Sequence, residues 1–491
     1  MWIIFGVIYI AFMMFLVCKK SKLLYNPAFW MIMAAVLIIG MYYTSGYVYN
    51  YPLRVSGLLY YLGVVSCFCV GFFFVVKGKS ARSCSSTMKT VQLGLRIKEK
   101  IYNSVTKSKV YEWMRNKIYC VSNKLMRTKI YKYVYSKMYW VIENDGYNTF
   151  YGKMNRSIYF LITLIGAVVF LVDFFMHNSL ASDNLHTGAV NSSIGVLGKI
   201  CLLFGIVVWL GEVASSIQSN KKISLVGYIS AGMYFIPAVL TSGRQSFIIF
   251  IVATISIVFY SLNVQKEYRY LKRYVLIGAI GVCAMMVFCV FVATTRQSVS
   301  NKAALFEYMF NCVIPEKTES LFLGMGAIGM LFCEIVSYYS HELPMFQVFF
   351  DNWNYQPMLG INQIPLISQN INQDSIYSYS TMWENLDRMS EQANVYSHVW
   401  RTMSANCITD FGRVGGLLFM IVLGVIVGVV YKSVLANNSM KNQIILAMMN
   451  AGAFFSMQFS PLVEGYWYFP MIWLLVAIPI MNYVIKGVIK K

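Results

Sequence analysis

The chain has 491 residues, 58% of them hydrophobic and only 12% charged, where an average soluble protein has about a quarter charged. With 16% aromatic residues and a mean hydropathy of +0.57, this composition excludes a soluble globular protein. Yet the same apolar chain carries 41 Lys and Arg against 20 Asp and Glu, a formal net charge of +21.

A membrane-spanning helix needs about 20 apolar residues in a row. Eleven stretches qualify: 1–17, 27–45, 57–76, 157–176, 195–215, 223–241, 245–262, 274–294, 413–431, 443–460 and 466–485. The expected fold class is all-α, a polytopic integral membrane protein of about eleven transmembrane helices. The first stretch lacks a basic leader and a small-residue cleavage site, and Cys18-Lys19-Lys20 follows it. It reads as an uncleaved anchor.

Spans 1–3 fill residues 1–76, and a basic segment follows over 77–156. It holds 18 Lys and Arg against the acids Glu99, Glu112, Glu143 and Asp145. A loose base–aliphatic–tyrosine repeat runs through it, as Lys100-Ile101-Tyr102, Lys109-Val110-Tyr111, Lys117-Ile118-Tyr119, Lys129-Ile130-Tyr131 and Lys137-Met138-Tyr139. Val110, Met114, Ile118, Val121 and Leu125 share one helical face. Such a basic amphipathic insert suits the surface of an anionic bilayer. Anionic membrane lipids are therefore its expected partner, and nucleic acid is not, because charge and aromatics alone carry no nucleic-acid signature.

Spans 4–8 occupy 157–294. A long segment then runs over 295–412, where the charge reverses and acids outnumber bases. Within it, Leu321–Tyr339 is apolar enough for a twelfth span. Accepting it would invert every later loop, and Glu334 would be costly in lipid, so a helix at the interface or inside the protein is expected. The stretch 351–397, rich in Asn, Gln, Ser and Tyr, suits carbohydrate, since rings stack on sugars and amides serve their hydroxyls. Cys312, Cys333 and Cys407 lie in this segment, where a disulfide is allowed, but no CxxC pair occurs anywhere. Spans 9–11 and a short tail complete the chain over 413–491.

Cytoplasmic loops carry the excess of Lys and Arg. With the N-terminus outside and the C-terminus inside, 32 of the 41 bases fall inside and nine outside. The net charge then divides into +26 inside and −5 outside. The long segment 295–412 is an external loop domain in this topology, and 77–156 is a cytoplasmic insert.

The informative bases are the external ones at span ends. Arg244 lies in the turn Thr241-Ser242-Gly243-Arg244-Gln245 between spans 6 and 7, where Gly243 permits the bend. Arg296 ends span 8, and Arg401 leads into span 9. Arginine binds phosphate oxygens as a planar fork, so this set suits a diphosphate, although arginines at span ends also snorkel. His398, three residues from Arg401, shares its face if the stretch is helical. A neighbouring cation keeps a histidine neutral and able to accept a proton. Asp410 opens span 9 and suits a helix N-cap, with catalysis as the second option. Glu464 sits in the last external turn. No nucleotide-binding loop, HExxH pair, GxSxG elbow or paired Cys–His set is present, so no metal or cofactor is expected. Gly324-Met325-Gly326-Ala327-Ile328-Gly329 matches GxGxxG but lacks the strand that would give it meaning.

The combination resembles the oligosaccharide repeat-unit polymerases, the Wzy-type O-antigen and capsule polymerases. The likeness rests on the apolar bundle with one long external segment before the last three spans and on the Thr241–Gln245 turn. It rests also on Asn394-Val395-Tyr396 followed by Asp410-Phe411-Gly412-Arg413-Val414-Gly415. In the turn, Ser and Gly are swapped relative to that family's pattern. The resemblance implies a metal-independent glycosyltransferase of the bacterial cytoplasmic membrane acting on polyprenyl-diphosphate-linked oligosaccharide, with a chain-length regulator as a further partner. His398, Arg401 and Arg244 would be catalytic. Arg296, Asp410, Glu464, Tyr396 and Asn394 would bind substrate. An O-antigen ligase would use the same donor. A lipid-linked oligosaccharide flippase would show paired halves, and no internal repeat of spans is visible.

Overall fold

The computed structural model describes residues 24–77, 153–177, 193–241, 245–265, 287, 299–363, 379–395, 402–436 and 439–477. The chain divides into two compact units, Met1–Val76 with Tyr159–Lys491, and Lys77–Ile158. The lysine–tyrosine repeats of the second unit and the first expected span, 1–17, lie outside the described residues, as does almost all of 274–294.

The described residues are helical. In chain order the helices are α1 (Pro27–Thr44), α2 (Val55–Lys77), α3 (Lys153–His177), α4 (Ser193–Leu203), α5 (Gly205–Ser219), α6 (Leu225–Thr241) and α7 (Gln245–Gln265). They continue with α8 (Val299–Phe310), α9 (Glu316–Gly324), α10 (Gly326–Ser340), α11 (Glu342–Asn352), α12 (Tyr379–Ala393), α13 (Met403–Ala436), α14 (Met440–Phe455) and α15 (Gly465–Ile472). Two two-residue strands, β1 (Val48–Tyr49) and β2 (Cys312–Val313), pair antiparallel with Val48 opposite Val313.

Among the described residues, six helical stretches are long and apolar enough to cross a membrane: Pro27–Thr44, Val55–Val76, Arg156–Met176, Ile194–Ser219, Gln245–Val264 and Met403–Ala436. The protein is therefore an all-α, multi-pass membrane protein. In lipid a backbone must satisfy its own polar groups, which makes an apolar run helical. The helix ends follow local chemistry. Asn26 caps α1, its Oδ1 accepting from Ala28 N at 3.0 Å, with Pro27 in the first turn. Asn220 takes a left-handed conformation after α5, and its N–H reaches the Ile217 carbonyl.

Some expected spans are interrupted or shortened. The stretch 195–215 is two helices, α4 and α5, meeting at Phe204. The stretch 223–241 becomes α6, apolar but shorter than the six and holding Pro237. The stretch 443–460 becomes α14, which ends at Phe455, because the chain turns over 456–464. Leu321–Tyr339 is split at Met325 between α9 and α10, and Glu334 is buried within α10. Gly329 there presses on the Phe322 carbonyl, where a side chain would overlap. Cys312, Cys333 and Cys407 are free thiols.

α14 is largely enclosed, packed along α7 and α1. Its polar residues meet polar partners: Ser261 Oγ donates to Gln443 Oε1 at 3.1 Å, and Asn450 Nδ2 donates to Ser256 Oγ. α2 and α13 cross through glycines, Gly71 against the Ile421 carbonyl and Gly424 against the Phe68 carbonyl. Small residues at such crossings let helix backbones approach in lipid.

Candidate functional site

Three of the eight residues singled out in the sequence fall among the described residues: Asn394, Asp410 and Glu464. Arg244, Arg296, Tyr396, His398 and Arg401 lie outside them. The chain on either side of these residues still shows which turns come together.

The centre is the turn 456–464, which joins the end of α14 to the start of α15, together with the first residues of α15. From one side, Met403 N donates to the Ser456 carbonyl at 3.0 Å. Ser460 Oγ donates to Gln363 Oε1 at 2.7 Å and also contacts Met403 Sδ at 3.2 Å. Met403 is two residues beyond Arg401. From the other side, the ring of Tyr466 meets Tyr234 edge-on at 6.0 Å, and Tyr234 Oη donates to the Ser246 carbonyl at 3.4 Å. Ser246 is two residues beyond Arg244. α6 and α7 also meet where Phe235 stacks on Phe247 at 4.5 Å. Thus the segment after Arg401 bonds the turn directly, and the segment after Arg244 reaches Tyr466 through Tyr234 of α6.

Glu464 lies in that turn. Its backbone is extended, and its Oε1 accepts from Tyr466 N at 3.2 Å, so it caps α15. An acid at a helix N-terminus is favoured by the helix dipole. Burial nevertheless pushes its carboxyl above the ordinary range, against the lowering effects of the Tyr466 N–H and of Lys199. A carboxylate with a raised pKa beside a cation is suited to taking a proton from a hydroxyl near neutral pH.

Asp410 is fully buried and occupies a helical position inside α13, two residues before the break at Gly412. It therefore does not open the helix, and the cap expected of it falls to a glycine. Its carbonyl accepts from Leu359 N at 2.8 Å. Asn394 ends α12 in a left-handed conformation with its side chain exposed. The Ala393 carbonyl beside it accepts from Asn311 Nδ2 at 3.3 Å. These two residues have clear backbone roles, and among the described residues only Glu464 joins the arginine-flanking segments.

Lys199 of α4 completes the cluster. Its Nζ lies 5.6 Å from the centre of the Tyr466 ring. In the sequence it is one of nine bases assigned outside, with no motif around it. Its only signal is a lysine inside an apolar run. No family model, curated protein or solved structure matches the chain.

Proposed function

We propose that this protein is a glycosyltransferase that polymerises oligosaccharide repeat units. It moves a growing glycan from a polyprenyl diphosphate carrier onto a lipid-linked repeat unit at the outer face of a bacterial cytoplasmic membrane. The supporting observation is that Met403, two residues beyond Arg401, bonds the turn that holds Glu464, while Ser246, two residues beyond Arg244, holds Tyr234 against Tyr466 next to that turn. The topology belonging to this reading has eleven spans, the N-terminus outside and the C-terminus inside. The basic insert lies on anionic lipid, and a chain-length regulator is an added partner.

In the reaction, the acceptor hydroxyl gives its proton to a base and its oxygen bonds to the anomeric carbon of the donor sugar. The bond from that carbon to the diphosphate oxygen breaks, and the diphosphate leaves with the electron pair. Arg244, Arg401 and Arg296 stabilise the charge that develops on the leaving group. His398 is the first candidate base, with Glu464 and Asp410 behind it.

The test replaces Arg244 or Arg401 with Ala in cells whose own copy is deleted, after confirming membrane levels of each variant. Glycans of a single repeat unit are expected. Normal long-chain polysaccharide from both variants overturns the reading. Full-length chains left unattached assign the protein instead to ligation.

A further inference from the structure

Most bases described near this end of the molecule are satisfied locally. Arg54 Nη1 lies 3.4 Å from Asp351, and Arg388 Nη2 lies 3.9 Å from Glu384. Arg413 Nη2 donates to the Phe350 carbonyl at 2.5 Å and covers the Phe350 ring at 5.1 Å. Lys199 differs. It is half-buried within the apolar stretch Ile194–Ser219, and no carboxylate among the described residues is within ion-pair distance of it. Glu464 is near enough to act on it through space, but the two charges do not close into contact.

A lysine inside a membrane-embedded stretch is costly unless something compensates its charge. Two opposite charges in a low-dielectric site attract strongly, and here Tyr466 touches both. Its ring faces Lys199 and its N–H holds Glu464. The next residue, Ile200, accepts from Trp473 Nε1 at 3.2 Å, and Trp473 packs on Phe204 at 5.0 Å. One cation therefore sits beside a wall of aromatic surface. That arrangement matches a phosphate group carried on an apolar chain.

We propose that Lys199 binds a phosphate oxygen of a lipid-linked phosphate, placing the lipid's head group next to Glu464. The proposal rests on the glycosyltransferase reading and deepens it. Lys199 becomes an anchoring cation beyond the three arginines, and Glu464 becomes the acid nearest the anchored phosphate. Two lipids offer this chemistry, a polyprenyl diphosphate and an anionic phospholipid.

The test uses the full chain in nanodiscs of phosphatidylcholine, titrated with farnesyl diphosphate while tryptophan fluorescence is followed. Lys199→Ala is expected to weaken binding by about tenfold or more, the size of a lost hydrogen bond to a charged group. Lys199→Arg is expected to restore most of it. Unchanged binding by a Lys199→Ala variant of normal thermal stability overturns the proposal. So does dependence on Lys199 that appears only with phosphatidylglycerol in the disc and not with the diphosphate. If Lys199→Ala does not fold, Lys199→Met serves in its place. Its readout is the pH profile of polymerisation.

The titratable groups around Glu464 are Lys199 of α4, Tyr234 of α6, and Tyr466 and Tyr468 of α15. Removing the lysine takes away a charge that favours the ionised carboxylate, so the acid limb is expected to move to higher pH. An unmoved limb overturns the pairing. Lys199-dependent diphosphate binding, together with normal glycans from the arginine variants, would sink the polymerase reading while leaving this site in place.

Discussion

The backbone N–H of Leu359 donates to the carbonyl of Asp410 at 2.8 Å, and the preceding residue, Met358, donates to Thr409 at 3.0 Å. In an unbroken helix those carbonyls would accept from Arg413 and Val414. Gly412 prevents this, with φ 69° and ψ 176° inside α13. The 358–359 segment thus replaces the missing helical turn and holds 403–411 against it. This backbone conformation is essentially restricted to glycine, and other residues held there cost about 1–3 kcal/mol. Gly412→Ala is expected to lower the thermal midpoint of the purified protein accordingly. An unchanged midpoint would show that the break is not a fixed feature of the fold.

Gly424 and Gly71 make a reciprocal contact, each set against a carbonyl of the facing helix. A methyl group at Gly424 would overlap the Phe68 carbonyl oxygen, and a backbone atom moves only with its helix. Overpacking of this kind costs about 1–3 kcal/mol. Gly424→Ala is expected to destabilise by that amount in a denaturation series. Gly40→Ala in α1, with nothing near the added carbon, is the matched control. It is expected to be neutral or stabilising by up to about 1 kcal/mol through helix propensity. Equal effects from the two substitutions would remove packing as the cause.

Asn450 and Ser256 tie α14 to α7 where both are fully enclosed. Asn450→Leu leaves the serine hydroxyl buried and without its amide donor, at a cost of about 1–3 kcal/mol. Adding Ser256→Ala is expected to recover part of the loss, because replacing both polar partners is milder than removing one. A double-mutant cycle measures the coupling, and strict additivity would argue against the bond.

Much of the membrane architecture was legible because a run of apolar residues and its terminal Asn, Pro or Gly are local signals. Asn26-Pro27 marks the start of α1 in this way. The interruptions were not legible. Phe204 and Met325 sit inside continuous apolar runs, and hydropathy carries no information about backbone torsions. Gly324-Met325-Gly326 does mark one such corner, although as a GxGxxG match without a strand it reads only as a coincidence in an apolar helix. Asp410 looked like a cap because it precedes the apolar run. The decisive residue was Gly412, whose unusual torsions no polar pattern announces. Lys199 was invisible as a site for another reason. Its neighbours Tyr466 and Glu464 are distant in the chain and are placed by the packing of α4 against α15.

His341 and Glu342, adjacent and fully buried between α10 and α11, give the stability of the protein a shape with pH. His341 Nδ1–H donates to the Ser337 carbonyl at 2.8 Å, and the ring stacks on Phe310 at 3.9 Å. Burial pushes its pKa down from 6.5 to about 3. Between those values the unfolded chain holds a proton that the folded chain lacks, so stability falls as pH falls from 6.5 toward 3. Glu342 has the opposite sign. Neither carboxyl oxygen has a hydrogen-bond partner among the described residues, and burial raises its pKa well above 4.5. Above pH 4.5 the folded chain keeps a proton that the unfolded chain has lost, so stability falls as pH rises. Just above pH 4.5, where both titrations act, the two slopes have opposite signs. Each slope alone is about 1.4 kcal/mol per pH unit for one proton. Thermal midpoints in detergent are therefore expected to decline as pH falls below 4.5, where the histidine acts alone, and to carry the carboxyl's opposing decline on the alkaline side of 4.5. Glu342→Gln is expected to remove the alkaline decline and leave the acid one, and His341→Phe the reverse. A decline that survives its own substitution would place the responsible titration on another residue.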